Sequence, residues 1–322
     1  MSRLYDLKAA VLATWLLAGI FADGWAHNHI DVDSFFTPWH ALLYTGYLAN
    51  AIFYGWTALR ARRRGRSWAA SVPPGYGWAA FGVLLFFVSG LGDMTWHILL
   101  GIEVSVSAGF SPPHLGIMIS TGLIVSAPFV AAWKRSAPPT NWSEWLPVIL
   151  SLWLSLSLMT FVVQYVDPLV VNSAFVRPQH YHDQAIGAMG IQLHAAILMA
   201  WILIALRRWR LPSGSLTLII TLNVVALSFM RDRFFLVPAI ALAGICADLL
   251  MRWLDPSSTR RPHFHFFAFC VPVVHFALYF AAVRIAHGIA WPIPLWTGSA
   301  FMAGVVSALI SFLILPAPIP ES

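Results

Sequence analysis

Charge is what this chain has least of. Only 13 acidic and 19 basic residues occur among 322, 10% of the total, against about 25% in an average soluble domain. That shortage excludes an ordinary water-soluble surface, and the 59% hydrophobic content points to an integral membrane protein whose first partner is the lipid bilayer. Cysteine is nearly missing too. Cys246 and Cys270 both fall inside apolar runs, where packing is expected rather than a disulfide. The chain has no Walker loop, no His-Glu-x-x-His zinc protease motif, no Gly-x-Ser-x-Gly elbow and no Cys-x-x-Cys-His haem attachment, so the chemistry tied to each is not indicated. The multi-histidine clusters of membrane di-iron desaturases and hydroxylases are absent as well.

What the chain does have is a series of long apolar runs. A helix needs about 20 mostly apolar residues to cross the hydrocarbon core. Ten such runs are present, near 8–26, 39–59, 77–100, 113–133, 146–166, 188–206, 214–231, 235–254, 267–286 and 292–315. They are too long for barrel strands, and lipid offers no partner for unpaired backbone groups, so helices are predicted. The expected architecture is all-α: one polytopic membrane domain over 1–322, built from five helical hairpins at about 8–60, 77–134, 146–207, 214–254 and 267–315.

Lys and Arg concentrate in short cytoplasmic loops. Fifteen of the nineteen lie at the N-terminus or after even-numbered runs: Arg3, Lys8, the RARRRGR stretch from Arg60 to Arg66, Lys134, Arg135, Arg207, Arg208, Arg210, Arg252, Arg260 and Arg261. Both termini are therefore predicted to be cytoplasmic, in a bacterial inner membrane, with residues 27–38, 101–112 and 167–187 outside. The net charge of +6 follows from this distribution and gives no reason to expect a nucleic-acid partner. Residues 1–26 also resemble a signal peptide, and cleavage after Ala26 would leave His27 as an N-terminal copper-binding histidine. An internal repeat argues against cleavage.

The repeat is seen by setting DGWAHNHIDVDSFFTPWH, from Asp23, beside DMTWHILLGIEVSVSAGFSPPH, from Asp93. Each reads Asp-x-x-x-His, a link, then Phe-(Ser/Thr)-Pro-x-His at the start of the next apolar run. Asp23, His27 and His40 correspond to Asp93, His97 and His114, on a unit of roughly 70 residues. A fainter third copy surrounds Gln164, with His194 in the place of His114, and a fourth keeps only FFLVP at 234–238.

Residues at i and i+4 share a helical face. Asp23 with His27, and Asp93 with His97, can each offer an oxygen and a nitrogen to one ion, with His40 and His114 arriving from the following helix. Two imidazoles and a carboxylate suit copper, zinc, iron or manganese, and leave a coordination position open. Such residues at membrane depth indicate function by default, although a salt-linked Asp–His pair joining two helices is the plainer alternative for either copy alone. His182 and His194 are the best candidates for a further contribution, with His180 and Asp183 beside them. His29, Asp31 and Asp33 fit solvated loop residues or an access path. His263 and His265 are expected on the cytoplasmic side, and His275 is expected to be a hydrogen-bonded core residue.

Asp23-xxx-His27-x12-His40 resembles the intramembrane copper-binding motif in the C subunit of particulate methane and ammonia monooxygenases. The resemblance covers fewer than twenty residues, and the second copy departs from it with sixteen residues between His97 and His114. It implies Asp23, His27 and His40 as ligands and copper as the leading ion, with zinc or iron as alternatives. Three functions stay open: a membrane oxygenase or other oxidoreductase acting on a small apolar substrate, a transition-metal transport or handling protein, and a zinc-dependent membrane hydrolase. Electron donor, partner subunits and oligomeric state are not legible.

Overall fold

A computed structural model describes residues 3–30, 36–101, 106–178 and 180–316. The described chain is all-α, and it divides into two compact units, Met1–Leu158 and Met159–Ser322. The helices are α1 Arg3–His29, α2 Pro38–Arg63, α3 Gly77–Leu100, α4 Val106–Phe110, α5 Pro112–Val125, α6 Ala127–Trp133, α7 Trp142–Val162, α8 Tyr181–Arg208, α9 Ser215–Arg231, α10 Val237–Leu254, α11 Arg261–Ala286 and α12 Ile293–Ile314.

Seven of these helices are long and apolar enough to cross a membrane, or eight if the bent pair α5–α6 is one span. The predicted run 113–133 is thus not one straight helix. It breaks at Ser126 and bends by 43°, because Pro128 has no N–H to continue the ladder. The Ser126 hydroxyl meanwhile donates to the Gly122 carbonyl at 2.7 Å. Outside the seven, α9 is short at 17 residues, and α2 ends in Arg60, Arg62 and Arg63.

The surface is inverted relative to a water-soluble protein. Ser120, Thr121, Ser157 and Thr160 are fully buried, whereas Leu84 and Val88 are 65% and 66% exposed. Polar groups such as these face inward, and large apolar side chains face outward, as contact with lipid requires.

In the first unit, α1 packs on α2, α3 packs on α5, and the two hairpins lie side by side through α1–α5 and α2–α3 contacts. Small residues let α1 and α2 approach closely. A Cβ on Gly19 would press on the Leu43 backbone, and one on Gly46 on the Leu16 backbone. The Asn50 amide then donates across the interface to the Leu12 carbonyl at 2.9 Å. One end of the unit is closed by a polar clasp. The buried Asp6 carboxylate accepts from Tyr76, just before α3, at 2.7 Å and from Arg135, just after α6, at 2.6 Å. The clasp places the starts of α1 and α3 at the same end, so both hairpins run in the same direction and their far ends coincide. Those far ends carry Asp23, His27, Asp93 and His97.

In the second unit, α11 packs between α10 and α12, α12 packs on α8, and α9 on α10. Asp248 of α10 caps α9, accepting from the Thr217 backbone N–H at 2.7 Å and its hydroxyl at 2.6 Å, a favourable place for a negative charge.

Candidate metal centre

Each proposed triad begins with a helix end. Asp23 and His27 lie one turn apart near the end of α1, as do Asp93 and His97 on α3. The third residue enters from the next long helix, whose start is set locally. Thr37 caps α2 by accepting the His40 backbone N–H at 3.4 Å, and Pro38 occupies the first turn, where a missing N–H costs nothing. Ser111 and Pro112 open α5 in the same way, but the Ser111 hydroxyl bonds the His114 ring at Nδ1, 2.7 Å away.

The side chains converge. In the first triad, Asp23 Oδ1 is 3.1 Å from His40 Nε2, and Asp23 Oδ2 is 3.8 Å from His27 Nε2. In the second, Asp93 Oδ1 is 3.3 Å from both His97 Nε2 and His114 Nε2. Within each triad, one ligand atom per residue lies within 4.8 Å of the other two. Ligand bonds of about 2.0–2.2 Å in a tetrahedral arrangement put donor atoms about 3.4 Å apart. The observed separations bracket that value.

The surroundings of each triad suit a bound cation. His97 Nδ1 lies 3.4 Å from the Gly101 carbonyl, which can only accept, so Nδ1 is the donor there and Nε2 is the nitrogen that faces Asp93. This is the second-shell pattern that orients metal-ligating histidines. Among the described residues, Asp93 Oδ1 and Asp23 Oδ1 are buried without a hydrogen bond despite the nearby rings. Unbridged acceptors of this kind are costly in an apolar setting, and a bound cation removes the cost.

The two triads are neighbours. Tyr44, one turn beyond His40 on α2, donates to Asp93 Oδ2 at 3.4 Å. Sequence reasoning missed Tyr44, although its i+4 spacing from His40 was a usable signal.

The other sequence candidates lie elsewhere. His182 is exposed at the start of α8, stacked on His180, with Asp183 3.7 Å away. His194 is buried further along the same helix, its Nδ1 2.8 Å from Asp167. About 18 Å of helix separates His182 from His194, so these two do not share one ion. His29 is exposed and stacks on Trp25; Asp31 and Asp33 lie outside the described residues. His263 and His265 bond the Leu254 carbonyl and the Ser311 hydroxyl near the start of α11. His275 departs from expectation: it is buried, but neither ring nitrogen has a hydrogen bond among the described residues.

Compared with models of protein families, with curated proteins and with solved structures, the chain matches none. Its class follows from its own features: apolar helices able to span a membrane and two Asp-His-His groups able to hold a metal ion, as in a membrane metalloprotein.

Proposed function

We propose that this protein is an integral membrane oxidoreductase whose two triads hold copper and act on a small apolar substrate reaching them from the bilayer. The observation that carries the reading is the pairing of two such groups at one end of a bundle with a lipid-compatible exterior. Ten spans, arranged as repeated hairpins in a single domain, would set both triads at the same depth on the outer side of a bacterial inner membrane. The basic residues at the opposite end support that orientation, as does the Asp6 clasp at the same end.

Asp23, His27 and His40 bind one ion, and Asp93, His97 and His114 a second. Imidazole-rich sites favour the later transition metals, and three protein ligands leave room for a reactant. Bound copper would supply one-electron redox chemistry. The chain supplies the geometry around it: Gly101 orients His97, Ser111 orients His114, and Tyr44 holds one oxygen of Asp93. The surrounding apolar helices limit water access and suit a substrate without charge.

The test is elemental analysis of protein purified without added metal, coupled to electron paramagnetic resonance before and after reduction. One or two copper ions per chain, redox-active and lost in a His40→Ala/His114→Ala variant, are expected. Zinc in their place would favour the hydrolase reading, and metal-free protein that binds none on reconstitution would overturn the metalloprotein itself.

A further inference from the structure

The second unit contains a buried polar cluster that the triads do not use. Asp167 follows α7 in a run of tight turns, His194 lies midway along α8, and His275 lies midway along α11, which packs against α8. None is more than 2% exposed. About 20 Å of helix separates His194 from Arg207 and His275 from Arg261, so the two rings stand at matching depth from their basic helix ends. Ionisable groups this deep are costly and indicate function unless they are satisfied.

They are satisfied on one side only. Asp167 Oδ1 accepts the Leu169 backbone N–H at 2.9 Å, and Oδ2 is 2.8 Å from His194 Nδ1. The contact depends on a close approach: a Cβ on Gly190, one turn before His194, would collide with the Val166 carbonyl next to Asp167. With Nδ1 bound to the carboxylate, Nε2 is directed away from it, buried and without a partner among the described residues. Both nitrogens of His275 are in the same condition, as is the hydroxyl of Tyr279 one turn further along α11. Four unpartnered polar atoms therefore occur in one buried cluster. Phe276, edge-on to both rings with centroid separations of 5.0 and 5.8 Å, walls it.

We infer that His194 and His275 bind a transition-metal ion of the imidazole-preferring kind, with Asp167 as the positioning carboxylate and the Tyr279 hydroxyl as a further donor. The ring centroids are 5.4 Å apart. Nitrogen bonds of about 2.0–2.1 Å at a tetrahedral angle place two imidazole centres about 5 Å apart. Carboxylate–histidine–metal is the usual second-shell arrangement, fixing the tautomer and raising ligand basicity. A dipositive ion would also compensate the Asp167 carboxylate, which has no Lys or Arg hydrogen-bonded to it among the described residues. This site stands independently of the proposed oxidoreductase function.

The test uses the full chain with both triads silenced by His27→Ala, His40→Ala, His97→Ala and His114→Ala. The silenced chain is dialysed against Zn2+ alone and its metal content measured. One retained ion per chain is expected, with X-ray absorption showing nitrogen ligands at about 2.0–2.1 Å. Adding His194→Phe or His275→Phe, apolar changes of similar volume, should abolish retention. The same Phe changes in the otherwise native chain should leave triad-bound metal in place, which also reports that the bundle is folded. A silenced chain that retains no Zn2+, or retains as much after His194→Phe and His275→Phe, overturns the inference. Failure of the triads to bind copper would leave it standing.

Discussion

The Tyr44 hydroxyl donates to Asp93 Oδ2 across 3.4 Å, joining the helix that carries one triad to the carboxylate of the other. Asp93 Oδ1, on the same carboxylate, faces His97 and His114. Tyr44 is therefore placed to control how the carboxylate is presented to an ion without itself being needed to hold one.

Removing that hydroxyl should loosen the second triad. Tyr44→Phe keeps the ring, so the bundle should fold normally, but Asp93 Oδ2 becomes free to rotate towards the ligand position. Loss of a second-shell partner typically costs about 10–100-fold in metal affinity. Competition titration with a chromogenic chelator should show that weakening for one ion per chain. An unchanged affinity would mean that the Tyr44 bond is incidental.

The close approach of α1 and α2 gives a second handle. Gly19 lies one turn before Asp23, and Leu43 nearly one turn after His40, so the contact between them sets the separation of carboxylate and imidazole. Gly19→Ala would force the helices apart, costing about 1–3 kcal/mol as overpacking commonly does. Metal should be lost from the first triad while the second keeps its ion. Equal loss from both would show that the triads form one interdependent centre.

Much of this arrangement was legible in the residues themselves. Helix ends could be placed because Thr37-Pro38 and Ser111-Pro112 are strong local start signals, and the triads because Asp-xxx-His recurs before each of them. The break at Ser126 was also available from Pro128, but hydropathy carries across it. Asp167 was harder to find. It stands three residues beyond Gln164 in consecutive turns, where helical periodicity has no meaning, and only packing at Gly190 brings it to His194. His275 looked like an ordinary core histidine because its neighbours are distant in sequence, and a missing hydrogen bond leaves no sequence pattern.

The clasp at the other end should affect stability without touching the metal. Arg135 is partly exposed, but its partner Asp6 is buried, and Arg135→Ala leaves that carboxylate with Tyr76 as its remaining partner among the bonds described. The expected cost is about 1–3 kcal/mol, since hydrogen bonds to charged groups are worth about that much and one partner stays solvent-accessible. Thermal unfolding in detergent should show the loss while metal content stays at the wild-type level. A fall in metal content would mean that the two ends of the unit are coupled through its helices.

Orientation decides which compartment the triads face, and it can be measured directly. Arg64, at the end of α2, lies at the same end of its hairpin as the start of α1, whereas His40 lies at the opposite end. The fifteen-to-four distribution of basic residues predicts Arg64 in the cytoplasm, and the exposed His182 before the sixth apolar run on the outside. With Cys246 and Cys270 replaced by Ala, His182→Cys should react with a membrane-impermeant maleimide in intact cells, and Arg64→Cys only after permeabilisation. Neither position belongs to a triad, so folding and metal content should be unaffected. The reverse labelling pattern would put the triads on the cytoplasmic side and remove the outward-facing part of the proposed function. Labelling of both positions from one side would instead mean an even number of crossings between them, where the ten-span arrangement has three.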